Sequence, residues 1–151
     1  MRMACIYDAA CWYMNNGYYL DALDTIDILL AAEINYKDSA ELREHIINDL
    51  IEYNKNNGFL RNQYALVGRW SSGAYYFEIF YNSTGGTTCS QNIAEGIYAE
   101  YYEFENGIYY LGSGPADWTP VLAFERVDDT TLRVRNLSIN KRGIITLTKQ
   151  E

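Results

Sequence analysis

The 151-residue chain is short of several things, and each shortage excludes something. It has two prolines, Pro115 and Pro120, so it lacks the composition of a long disordered or linker segment. It has one histidine, His45, set between Glu44 and Ile46 in a helical stretch. A lone imidazole without partners is a poor catalytic or metal-binding candidate and reads as a surface residue. The three cysteines, Cys5, Cys11 and Cys89, are odd in number and include no C-x-x-C spacing. That argues against a disulfide scaffold or a zinc site; Cys5 and Cys11 lie in one apolar helix and are expected as buried free thiols, which favours a reducing compartment. No run reaches the roughly 18 apolar residues needed to cross a bilayer. The opening Met1-Arg2-Met3-Ala4-Cys5-Ile6 is soon interrupted by Asp8 and by Asn15-Asn16-Gly17, unlike a signal peptide. These shortages predict a cytoplasmic protein without membrane insertion; the alternative is the soluble part of an anchored or extracellular protein. Positive charge is also scarce: 12 Lys and Arg against 20 Asp and Glu, a net −8. Direct binding to nucleic acid or to anionic membrane needs basic patches and is not expected.

Motifs of group-transfer chemistry are missing as well. There is no Gly-x-Ser-x-Gly, P-loop or dinucleotide fingerprint. Gly112-Ser113-Gly114 and Ser83-Thr84-Gly85-Gly86 are glycine-rich, but neither joins a strand to a helix. Glu95, Glu100, Glu103, Glu105 and Asp117 form an acidic stretch. Strand alternation sends Glu100 and Glu103 to opposite faces, so they read as a solvated rim and not as a catalytic pair. No catalytic residue, cofactor or metal ligand is assigned, and the chain is not expected to be an enzyme.

What is present is patterned apolar residues and tyrosine, 15 of them. Residues 3–16 are apolar almost all round and stop at Asn15-Asn16-Gly17, as a helix ending in a glycine stop would. From Tyr19 to Ala32, the residues Ala22, Leu23, Ile26, Leu29 and Leu30 recur at helical spacing, and Asp21, Asp24 and Asp27 fall between them. A third helix is predicted from Asp38 to Asn54, with Leu42, Ile46, Ile47, Leu50 and Ile51 as its stripe. Asp38 and Glu41 have the spacing of a capping box. Asn54 to Gly58 marks the boundary between a helical segment, 1–57, and a β-domain, 58–151.

From Leu66 the period changes to two. Eight strands are predicted, at about 66–72, 74–82, 86–92, 97–104, 107–112, 119–127, 130–137 and 143–149. Asn106-Gly107 is the strongest turn signal, because both residues tolerate the positive φ of a tight hairpin. Hairpins with no room for crossover helices imply an antiparallel meander, which removes its edges by closing into a barrel. The fold class is therefore α+β, three helices followed by an eight-stranded meander barrel.

Two stretches resemble known families. Gly17-x-Tyr19-x-x-Ala22-x-x-x-Ile26 looks like the inter-helix signature of a tetratricopeptide repeat, with Ala10 and Tyr13 where its first helix carries a small residue and an aromatic. Tyr36-Lys37-Asp38-Ser39-Ala40 resembles the junction between such repeats in Gram-positive bacterial proteins. The resemblance implies that Gly17 makes the turn, Tyr19 packs across the hairpin and Ala22 lets the helices approach. One and a half repeats cannot form a stable solenoid, so the hairpin must pack on the barrel, another copy or a partner. The β-domain resembles lipocalin-like barrels through Gly68-Arg69-Trp70. The resemblance implies that Trp70 plugs the closed barrel end against a late-strand base, Arg135, Arg142 or Lys149. The strand-bearing stretch from Leu66, about 85 residues, is shorter than a typical lipocalin, and a small barrel is often filled by its own side chains.

Two surfaces remain as candidates for function. Arg126, Arg133, Arg135, Lys141, Arg142 and Lys149 gather basic charge on the last three strands, while the helices are acidic. An ordinary solvated surface, intramolecular docking and self-association are all compatible with that dipole. The tyrosines make the second surface. Consecutive pairs such as Tyr75-Tyr76, Tyr101-Tyr102 and Tyr109-Tyr110 must split between the two faces of a strand. Tyr76, Tyr98, Tyr102 and Tyr109, with Asp21, Asp24 and Asp27, are the expected contact residues. The expected function is a non-enzymatic binding module for a protein partner, with a homodimer or a small apolar ligand in the barrel as further options. The alternative is a phage-type acidic inhibitor that occupies a basic nucleic-acid-binding enzyme through those aspartates.

Overall fold

A computed structural model of the chain describes residues 3–95, 101–113 and 115–150. Three helices come first: α1 (Met3–Asn15), α2 (Tyr19–Ala31) and α3 (Ser39–Asn57). Eight antiparallel strands follow: β1 (Gly68–Ser72), β2 (Tyr75–Tyr81), β3 (Thr87–Gln91), β4 (Tyr101–Glu105), β5 (Ile108–Gly112), β6 (Thr119–Asp128), β7 (Thr131–Asn136) and β8 (Ile144–Lys149). Short 3₁₀ turns occupy Gln63–Leu66 and Pro115–Asp117. The α+β class and the meander are as the sequence pattern predicts. Within the expected fourth strand, 97–104, residues 97–100 lie outside the described residues.

Local departures from the expected pattern have physical causes. The third helix runs three residues past its expected end, to Asn57, and stops where Gly58 turns left-handed. The capping box at Asp38 and Glu41 does not form. The Asp38 carboxylate accepts the Tyr7 hydroxyl proton donor instead, which ties α1 to the α2–α3 junction. That bond pushes the Tyr7 hydroxyl up to about 12 and holds the Asp38 carboxyl below its usual range. The first strand begins at Gly68, because residues 63–66 wind into a 3₁₀ turn that crosses the barrel end.

The strands run in the order β3-β2-β1-β8-β7-β6-β5-β4, so the β1–β8 pairing bends the meander into a nearly closed barrel. Edge removal is incomplete, since β3 and β4 share no ladder among the described residues. The Thr87 and Tyr102 hydroxyls hydrogen-bond across that seam. Alternation sends Trp70, Phe77, Ile79, Phe104, Tyr109, Phe124, Leu132, Val134 and Leu147 inward, where they form one buried cluster. Phe77 lies at the centre, with ring centroids 5.2 Å from Tyr109 and 4.8 Å from Phe124 in edge-to-face contact. At one end Leu60, Leu66 and Trp70 are buried together, and Trp70 Nε1 donates to the Leu66 carbonyl at 3.1 Å. Gly68 enters β1 at φ +129°, a region that favours glycine. Of the three bases expected over Trp70, Lys149 takes the position, its Nζ 5.7 Å from the ring centroid. Arg135 is on the opposite face of the sheet, turned toward the helices.

The helices pack on the outside of the barrel. Their apolar stripes form a second cluster, to which the barrel contributes Ile108, Ala123 and Leu137. Ala10 and Ala22 are fully buried between the helices, so their small size sets the close approach of α1 and α2. Tyr19 packs against the helical cluster, with its ring tilted on Tyr53 of α3 at 5.7 Å. The Asn106-Gly107 turn is a joint between the two parts. Asn54, at the end of α3, donates to the carbonyls of Asn106 at 3.0 Å and Phe124 at 3.2 Å. Gly107 sits directly beneath it at φ +81°, and a Cβ there would lie 2.1 Å from Asn54 Nδ2.

That contact separates two glycine substitutions. Gly107→Ala adds left-handed strain of about 1–2 kcal/mol to the loss of the Asn54 bonds, about 1–3 kcal/mol, for a total cost of about 2–5 kcal/mol. Gly73→Ala, in a turn at φ +57° with open space around it, costs the strain alone. Urea unfolding of both variants reads the difference.

Candidate functional site

Asp21, Asp24 and Asp27 recur every three residues on α2, which places them along one stripe of the helix. Arg133 and Arg135 are two apart on β7 and share its outer face, because Leu132 and Val134 take the inner one. The helix lies on the sheet so that these two rows meet. Arg133 grips Asp21 in a fork, Nη1 to Oδ2 and Nη2 to Oδ1, both at 3.0 Å. Its Nη1 also reaches Glu125 Oε1 at 2.7 Å, a cross-strand neighbour on β6. Glu125 in turn accepts the Leu20 amide at 3.3 Å, so a barrel carboxylate caps the α2 N-terminus, where Tyr18 offers no side-chain cap. Arg133 is held above its ordinary value, first by the hydrogen bond to Asp21.

Asp24 accepts from Arg135 Nε at 3.0 Å, from the Gly143 amide at 2.8 Å and from Arg142 Nη2 at 3.4 Å. Arg142 Nε also donates to the Asp24 carbonyl at 2.9 Å. Asp27 has no exposed surface and meets two guanidinium groups. Arg43 of α3 approaches it at 2.7 and 3.3 Å and passes on to the Leu137 carbonyl at 2.7 Å. Arg135 Nη2 lies 2.7 Å from Asp27 Oδ2, an ion contact without good hydrogen-bond alignment, and Arg135 Nη1 is buried with no partner among the described residues. Four carboxylates thus face four guanidinium groups, which balances the charge of the network. This charge-balanced arrangement, fully buried at Asp27 and Arg135 and open to solvent at Arg142, does structural work, holding α2 in one position on the sheet.

The three aspartates expected at a contact surface are therefore turned into the molecule. Of the expected tyrosines, Tyr102 and Tyr109 are brought together and Tyr76 is set apart from them. Tyr109 is buried inside the barrel, 5.9 Å from the half-buried Tyr102 ring, and burial raises both hydroxyls above their ordinary value. Tyr76 is on the outer face of β2, under the Arg69 guanidinium at 4.4 Å, with its hydroxyl 3.1 Å from Ser90 Oγ. Tyr98 lies outside the described residues. Gly17 turns between α1 and α2 at φ +81°. Of the cysteines expected to be buried, Cys5 is exposed and Cys11 packs only partly covered against the helical core, because Ile6 and Ala10 take the buried positions of α1. Cys89 is half-buried at the barrel seam, and burial pushes its thiol up to about 12.

Aromatic surface collects somewhere the tyrosine pattern of the strands does not indicate, at the α1–α2 corner. Trp12 is 57% exposed and Tyr18 48% exposed, and their rings stack at 6.1 Å and 10°. Tyr13 closes edge-on against both, at 5.6 and 6.4 Å. Met3 is exposed on the same helix. The signal in the sequence is the all-round apolar character of residues 3–16, of which Met3 and Trp12 stay exposed.

Among the described residues no helix is long and apolar enough to cross a membrane, and no group of three or more His, Cys, Asp or Glu side chains is placed to hold a metal ion. Comparison with known proteins finds no matching family model, no matching curated protein and no matching solved structure.

Two measurements follow from this geometry. Asp27→Asn leaves Arg43 and Arg135 facing a neutral group in a buried site and is expected to cost about 3–5 kcal/mol in urea unfolding. Arg142→Ala, at the exposed end of the network, is expected to cost no more than about 1 kcal/mol. With an alkylating reagent at about pH 8, Cys5 reacts in the native protein, whereas Cys89 reacts only after denaturant is added.

Proposed function

We propose that the chain is a non-enzymatic protein-contact module, a tetratricopeptide-like helical hairpin mounted on a lipocalin-like barrel. The observation that carries the reading is the stacked Trp12–Tyr18 pair with Tyr13 at its edge, standing out from a hairpin that is otherwise fixed to the sheet. Large aromatic rings on rigid elements supply contact area at low entropic cost, and Trp and Tyr are the residues that anchor interfaces. The aspartate–arginine network supports the same reading, since it holds the hairpin at a fixed angle and so presents the aromatic corner in one orientation. A small apolar ligand inside the barrel finds little support in an interior occupied by Trp70, Phe77, Phe104 and Phe124. An acidic inhibitor acting through Asp21, Asp24 and Asp27 loses its expected contact residues to internal arginines.

The test compares wild type with Trp12→Ser/Tyr18→Ser and with Phe80→Ser, an exposed aromatic on a distant strand. Partners captured on each protein are quantified, and sedimentation equilibrium covers the case in which the partner is a second copy. The double variant is expected to keep the wild-type melting temperature and to lose about tenfold or more in association, while Phe80→Ser retains it. Equal association by all three proteins contradicts the proposal.

A further inference from the structure

The barrel end opposite Trp70 carries a notch that arises from unequal strand lengths. β8 starts at Ile144, but β1 ends at Ser72, and their ladder holds Trp70–Lys149 and Ser71–Thr148, extended by the Gln150–Arg69 bond away from the β1–β2 turn. The chain then turns at Gly73-Ala74 into β2. Backbone direction along β8 follows from its bonds. The Lys149 amide donates to the Thr130 carbonyl on the β7 side, and the Gln150 amide donates to the Arg69 carbonyl on the β1 side. Alternation from Gln150 through Thr148 therefore aims the N–H and C=O of Thr146 and Ile144 to the β1 side, beyond the point where β1 has ended. Among the described residues these groups have no partner there.

The space beside them is a cleft of about 350 Å³, within the size range of ligand sites. The strand order fixes its walls. Tyr75, just after the β1–β2 turn, lines it on the β2 side; Asn92, Ile93 and Glu95, which follow β3, line it as well, with Asn136 and Lys141 to Ile145 on the β7–β8 side. The wall that follows β3 is preformed. Asn92 accepts the Tyr76 amide at 2.8 Å and donates to the Ala74 carbonyl at 2.7 Å, while Gln91 Oε1 accepts the amides of Ile93 and Ala94 at 2.7 Å each. Ile93 belongs to the barrel core, and Ile145 packs against it. Lys141 is exposed, with no carboxylate at ion-pair distance among the described residues. Glu95 disfavours a second acid on the other wall.

We propose that this notch binds a short extended peptide as an added strand on β8, with an apolar side chain over Ile93 and Ile145 and an acidic side chain toward Lys141. The backbone of Thr146 and Ile144 supplies the strand pairing, which is independent of side-chain identity. The isoleucines and Lys141 supply the selectivity. The site is separate from the α1–α2 corner and does not depend on it.

An immobilised array of random hexapeptides is the probe. Thr146→Pro removes one N–H on the notch side and leaves the β7 ladder intact, because Ile145 and Leu147 make those bonds. Thr146→Val keeps the N–H. Wild type is expected to select apolar–acidic peptides. Thr146→Pro is expected to weaken the selected peptides tenfold or more, Thr146→Val to retain them, and Lys141→Ala to lose the preference for acid. Amide exchange on wild type gives a readout that no folding defect of a variant can imitate: a selected peptide slows the Ile144 and Thr146 amides and leaves the already paired Ile145 and Leu147 unchanged. An array with no binders overturns the proposal, as do binders that leave the Ile144 and Thr146 amides unprotected.

Discussion

Everything on the outer side of this barrel depends on how one helix is charged. α2 carries an acid at every third position between its apolar residues, and each acid ends on an arginine that another element delivers. Asp27 is the extreme case, fully buried between Arg43 and Arg135. A carboxylate removed from water is costly unless it is paired and hydrogen-bonded. The chain therefore has one low-cost way to place α2, with the stripe of aspartates on the row of arginines. Rotation of the helix by one residue, or a slide by one turn, leaves charges buried without partners. The apolar cluster beneath is less particular. The barrel gives it Ile108, Ala123 and Leu137, and burial of such side chains yields about 1.5–3 kcal/mol each for the larger two. That is comparable to the penalty of breaking one buried pair, about 3–5 kcal/mol. Apolar burial draws the helices onto the sheet, and the ion network decides where they stop.

The arrangement assigns different work to the two parts. The barrel has a core of its own: its inner face is filled by aromatic and aliphatic side chains, and Leu60, Leu66 and Trp70 are buried together at one end. Its outer face then serves as a mount. α3 is fixed at its end by Asn54 on the Asn106-Gly107 turn and at its side by Arg43, so the three helices are held at several separated points. A short hairpin that cannot form a solenoid gains a second layer in this way. On the side of α1 that faces away from the barrel Trp12 stays exposed, and it stacks there on Tyr18.

The periodic features were legible in the residues. A 3.6-residue stripe gave α2 and α3, alternation gave the strands, and the Asn106-Gly107 pair gave the tight turn. The two charge stripes were visible, and docking of one on the other was among the readings they allowed. The pairing itself was not legible, because Arg135 and Asp24 are 111 positions apart and nothing local assigns Arg135 to Asp24 and not to the Trp70 ring, where Lys149 is found. The part played by Arg43 was hidden for the same reason. The capping box failed because a competing partner, Tyr7, arrives from α1. The notch at the barrel mouth depends on β8 extending past the end of β1, a difference of a few residues that periodicity does not resolve.

The central claim is that the buried aspartate–arginine contacts act together to position the helices. A double-mutant cycle of Asp27→Asn and Arg135→Met, read by urea unfolding, tests it most directly. Coupled removal relieves each variant of the unpaired charge that the other leaves, so the double variant is expected to be more stable than the sum of the singles by about 1.5 kcal/mol or more. Additivity within about 0.5 kcal/mol contradicts the account, because it means that the two groups do not depend on each other for burial.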